Sequence, residues 1–110
     1  MLKFYQVEFD TFRYEWEVGV SQGECSRLFG LIMRRYKIRG CNIVFSPTVV
    51  EGEYDPDTGV VYLCLKPSLG LLVHEAAHAV EDHACRDGTF HRKRLLELIA
   101  DLHDFVRSIR

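Results

Sequence analysis

The sequence predicts an α+β fold: a small, mostly antiparallel sheet packed against amphipathic helices. Three patterns predict it. Phe12, Tyr14, Trp16, Val18 and Val20 alternate with Arg13, Glu15, Glu17 and Gly19, the period of a half-buried strand. Val60-Val61-Tyr62-Leu63-Cys64-Leu65 is a second strand candidate, rich in β-branched residues. Elsewhere the apolar residues recur at steps of three and four, the period of helices. With 110 residues, 47% of them hydrophobic and 12% aromatic, the chain can build one domain with a small core. We take residues 1–110 as that single domain.

The elements follow in order. Residues 2–9 are apolar and aromatic, with Tyr5, Val7 and Phe9 alternating, and Asp10-Thr11 can turn them onto the strand at 12–20. Residues 1–20 therefore read as an N-terminal strand hairpin, and 21–110 as the core. Ser21-Gln22-Gly23-Glu24 has the S-x-x-E spacing of a capping box. Cys25, Leu28, Phe29, Ile32, Met33 and Tyr36 then form one helical stripe. Arg34, Arg35 and Lys37 suit the negative end of that helix, and Gly40 is the expected stop. Cys41–Ser46 reads as a strand ended by Pro47, and an extended run from Thr48 to Tyr54 follows. Asp55-Pro56-Asp57-Thr58-Gly59 is a turn: Pro presets the backbone and Gly permits a positive φ. After Val60–Leu65, a helix capped by Ser68 runs to about Cys85. Arg86-Asp87-Gly88 breaks the chain. Thr89 caps a last helix whose stripe is His91, Leu95, Leu98, Leu102, Phe105 and Ile109.

The helix after Ser68 carries Leu71-Leu72-Val73-His74-Glu75-Ala76-Ala77-His78, an H-E-x-x-H sequence. Residues four apart on a helix lie about 40° apart round the axis, so His74 and His78 face one way and can bind one metal ion. Glu75 sits about 100° further round, beside the metal position, where a general base for water belongs. The plainer reading is two surface histidines and a salt-bridging Glu, but a solvated face needs no apolar approach such as Leu71–Val73.

Zinc needs at least one more protein ligand. His91 opens the inward stripe of the last helix and is our choice. His83 is the alternative: on an unbroken helix it points about 180° from His74, and it becomes reachable if the helix unwinds after His78. Glu97, with Asp101 one turn on, and Asp87 in the break are further candidates. Cys85 is more remote.

Composition narrows the setting. A net charge of −2 gives no support to direct nucleic-acid binding. No run is long enough to span a membrane, and charges and aromatics interrupt the N-terminus too early for a secretion leader. We therefore expect a reducing, cytoplasmic location, with Cys25, Cys41, Cys64 and Cys85 as thiols; no C-x-x-C pair is present. Asp55 and Asp57 lack the further ligands of a calcium loop.

Over roughly residues 21 to 110 the chain resembles the small zincin metallopeptidases, most closely the SprT-like group. The likeness rests on the amphipathic helix, the strands, the stretch Gly52-x-Tyr54-Asp55-Pro56, the strand Val60–Leu65 and the H-E-x-x-H helix, followed by a loop and a closing helix. The resemblance implies a minimal zincin-like domain holding zinc through His74 and His78, with Glu75 as general base and peptide or protein substrates, including proteins associated with DNA. In that group a third zinc histidine stands in an H-G-x-x-F-like element. Here either Phe90 is its aromatic, with Arg86 in the histidine place, or His91 is its histidine, with Leu95 in the aromatic place.

The expected activity is zinc-dependent hydrolysis of peptide bonds by activated water, with an exposed sheet edge near the motif aligning an extended substrate. The alternative is a catalytically inactive zincin-fold binding or regulatory protein. A third class is a toxin or regulator that needs a partner to complete its site. The sequence leaves the oligomeric state open.

Overall fold

The computed structural model describes residues 17–86 and 95–110. Within them lie α1 (Gln22–Arg35), β1 (Asn42–Phe45), β2 (Gly52–Asp55), β3 (Val60–Leu63), α2 (Leu69–Arg86) and α3 (Leu95–Ile109). This is an α+β arrangement of three helices and a three-stranded sheet. Most of the expected N-terminal hairpin, and the cap and first turn expected for the last helix, lie outside the described residues.

α1 forms as its sequence dictates. Ser21 Oγ accepts a hydrogen bond from the Glu24 N–H at 3.1 Å, which satisfies a donor that the helix itself cannot use. Cys25, Leu28, Phe29, Ile32 and Met33 are all buried. The helix end differs from expectation. The left-handed residue that ends the helix is Lys37 (φ 56°), three positions before Gly40, which is itself at positive φ (85°). Its N–H donates to the Arg34 carbonyl and that of Ile38 to the Met33 carbonyl, the paired bonds of a Schellman ending. Packing of Ile38 onto the core beside Met33 offsets the cost of a left-handed lysine.

The sheet order is β1-β3-β2. β2 and β3 pair antiparallel through the expected turn, where the Gly59 N–H donates to the Asp55 carbonyl at 2.9 Å. Gly59 has φ 72°, and a Cβ there would lie 2.8 Å from the Gly40 carbonyl oxygen, so the turn requires glycine. β1 pairs with β3 parallel, Asn42 opposite Val60. The sheet is thus mixed, where a mostly antiparallel one was expected. The cause is the long link from Phe45 to Gly52, which carries the chain past β3's place to the far edge before it turns back. Residues 17–20 add only an isolated bridge, Gly19 to Ser68.

α2 is the hub, contacting α1, α3, β2 and β3. Leu69, Leu71, Leu72, Val73, Ala76, Ala77, Ala79 and Val80 are buried, so the helix is covered on nearly every side. That explains the apolar approach to His74. Ser68 caps the start, its Oγ accepting from the Leu71 N–H at 3.2 Å. β3 sends Val61 and Leu63, both fully buried, into the core. On α3 the inward face is wider than the predicted stripe: Ile99, His103 and Val106 join Leu98 and Leu102 in the core, while Leu95, Phe105 and Ile109 flank them half-buried. The Tyr36 hydroxyl donates to Asp101, and the Arg35 guanidinium lies 4.7 Å from the centre of the Phe105 ring, so α1 and α3 are tied at this end. Among the described residues no helix is long and apolar enough to cross a membrane.

Candidate functional site

α2 continues unbroken through His74, Glu75, His78 and His83. His74 is buried and His78 half-buried. Their Nε2 atoms are 3.0 Å apart, with the rings nearly perpendicular at 77°. Two nitrogens bound to one tetrahedral zinc at the usual bond lengths lie about 3.3 Å apart. A slight rotation of either ring covers that difference, so the pair fits two positions of a zinc shell.

Glu75 is buried on the neighbouring face and lines a cleft of about 350 Å³ between α2 and β2. One wall is Gly52, Glu53, Tyr54 and Pro56; the other is Glu75, His78, Glu81 and Asp82. The cleft can form because β2 presents glycine where it crosses Glu75. A Cβ on Gly52 would lie 3.0 Å from Glu75 Cγ. Further along, the Tyr54 hydroxyl donates to Asp82 Oδ2 at 2.7 Å. Among the described residues, four carboxylates line the cleft, and their field favours a cation.

The other sequence candidates sort by place. His83 lies away from the His74–His78 pair. Its Nδ1–H donates to the Ala79 carbonyl at 3.1 Å, and Cys41 Sγ lies 3.8 Å from the same nitrogen. The helix does not unwind after His78, the condition under which His83 reaches the metal. Glu97 is exposed on α3, and Asp101 is engaged by Tyr36 and by Arg35 at 3.7 Å. His91 and Asp87 lie outside the described residues. Among the described residues, no group of three His, Cys, Asp or Glu side chains is placed to hold one metal ion. Cys25, Cys41 and Cys64 are free thiols.

Sequence reasoning missed Glu81, which is buried although charged. Its signal was present: seven residues past His74, it falls within about 20° of that histidine round the helix. It also missed Tyr54 and Asp82 as cleft residues: Tyr54 stood only as part of the stretch Gly52-x-Tyr54-Asp55-Pro56, and no local pattern marks Asp82. Comparison with protein-family models, curated proteins and solved structures finds no match to this chain.

Proposed function

We propose that this chain is a zinc-dependent metallopeptidase of minimal zincin type, acting on peptide or protein substrates in a reducing, cytoplasmic setting. The observation that carries the reading is the convergence of the His74 and His78 ring nitrogens beside a cleft that Glu75 lines. His74 and His78 hold the metal, with His91 as the third ligand. Zinc held there supplies Lewis-acid chemistry, polarising a carbonyl and acidifying water. Glu75 takes a proton from the attacking water and delivers it to the leaving amine. Burial of Glu75 beside apolar α2 neighbours keeps bulk water from competing for that proton. Among the described residues β2 is an edge strand along the cleft, so an extended substrate can add to the sheet next to Glu75.

The test is Glu75→Gln. The amide keeps the shape of the carboxylate but cannot take a proton. Fold and zinc content should match the parent, while hydrolysis of casein should fall by about two to four orders of magnitude, the usual worth of a general base. Undiminished turnover in Glu75→Gln would remove the general-base role. A parent that binds zinc but cleaves no peptide would favour the zincin-fold binding protein instead.

A further inference from the structure

Two contacts between β2 and α2 flank the cleft. Side chains alternate along a strand, so Gly52 and Tyr54 share the face of β2 turned to α2. Gly52 packs on Glu75, and Tyr54 hydrogen-bonds Asp82. Glu75 and Asp82 are seven residues apart, two helical turns, and so share one face of α2. The strand thus runs alongside the helix in the same direction, and His78 and Glu81 line the cleft between the two attachments. The attachments differ in kind. At Gly52 the contact is one of close packing. At Tyr54 there is a directional bond to a carboxylate, the stronger class of hydrogen bond.

We infer that the Tyr54–Asp82 hydrogen bond is a positioning bridge that fixes the β2 edge, and any extended peptide added to it, relative to Glu75 and His78. Neither residue is assigned contact with reacting atoms. Their effect is on how well the edge is ordered before a peptide arrives. β2 stays paired with β3 in either case; without the bridge its Tyr54 end is ordered only when a peptide adds to it, so binding weakens while the bound peptide meets Glu75 as before. The kinetic consequence rests on the hydrolytic reading; the structural one does not.

Two measurements test it on the zinc-loaded full chain. In the first, steady-state cleavage of a casein-derived peptide is compared for the parent, Tyr54→Phe, Asp82→Ala and Asp82→Asn. The first two variants should raise KM about three- to tenfold, the scale of one hydrogen bond, with kcat within about twofold. Asp82→Asn keeps an oxygen that accepts from Tyr54 and should behave as the parent. The double variant Tyr54→Phe/Asp82→Ala should be no worse than either single one. In the second, hydrogen exchange of the β2 amides should quicken in Tyr54→Phe and Asp82→Ala but not in Asp82→Asn. A fall in kcat at constant KM, or Asp82→Asn as damaging as Asp82→Ala, overturns the bridge, since charge or chemistry would then be the role. Unchanged exchange in Tyr54→Phe also overturns it. If the parent cleaves no peptide, the hydrolytic reading fails, and the exchange arm alone decides the bridge.

Discussion

Gly52 has no side chain, and its neighbours occupy the space one would fill. An added methyl meets Glu75 Cγ and Leu63 Cδ2 at 3.0 Å and the Tyr62 carbonyl oxygen at 3.2 Å. Leu63 is fully buried and Tyr62 belongs to the central strand, so neither gives way readily. Glu75 is the softest of the three, and Gly52→Ala should move it. We expect a loss of about 1–3 kcal/mol in urea denaturation, the usual cost of overpacking, together with a fall in kcat. Unchanged stability would show that β2 lifts off freely. The sequence announces His74, Glu75 and His78 because their relation is local to one helix. It marks Gly52 and Tyr54 only as part of a resembling stretch, and Asp82 not at all, because their contacts exist only once β2 is laid against α2. The Ser21 cap was legible for the same reason as the motif, since its partner is three residues away. The left-handed Lys37 was not, because distant packing decides where the helix stops.

At the scale of elements, α1 and its C-cap residue hold two groups whose ionisation the fold opposes. Burial pushes the Cys25 thiol up to about 11, helped by the negative charge of Glu24. Burial, and then the hydrogen bond to Asp101, push the Tyr36 hydroxyl up to about 12. Both folded values exceed the ordinary ones of 9.0 and 10.0. The native state therefore favours the protonated forms. The stability this contributes is complete below the ordinary values and is lost as pH rises through the raised ones. Urea midpoints followed by circular dichroism should hold steady to about pH 9 and then fall towards pH 12. Tyr36→Phe should flatten the decline above pH 10 while lowering the midpoint at neutral pH by the worth of one hydrogen bond, about 1 kcal/mol or less. An equally steep decline in Tyr36→Phe would place the alkaline sensitivity elsewhere. The strands were legible as segments, from Val60–Leu63 and the Asp55–Gly59 turn. Their pairing was not, because Asn42 meets Val60 only after the chain has crossed the sheet.

For the whole molecule, metal and fold should be linked, since a ligand that binds only the native state stabilises it. We expect about one zinc per chain and a melting temperature that falls on treatment with a chelator. Zinc titration of the parent, His83→Ala and His91→Ala identifies the third ligand. His83→Ala should stay close to the parent, because His83 bonds the Ala79 carbonyl away from the His74–His78 pair. His91→Ala should lose more than the roughly tenfold to hundredfold that removal of an outer-shell partner costs. Loss in His83→Ala alone would mean that α2 rearranges on binding metal.

The sheet order bears on how the chain is made. The central strand β3 is the last of the three to be synthesised, and among the described residues both β1 and β2 pair only with it. Until Val60–Leu63 has left the ribosome, a nascent chain carries β1 and β2 without the strand to which either bonds. α2, the hub of the core, follows later still. α1, with its own cap and its internal hydrogen bonds, is the one described element upstream of them that can form while waiting. The nascent segment from Asn42 to Asp55 is therefore the interval in which this protein is most open to pairing with the wrong strand, and pausing translation there should expose it to aggregation or to capture by a chaperone.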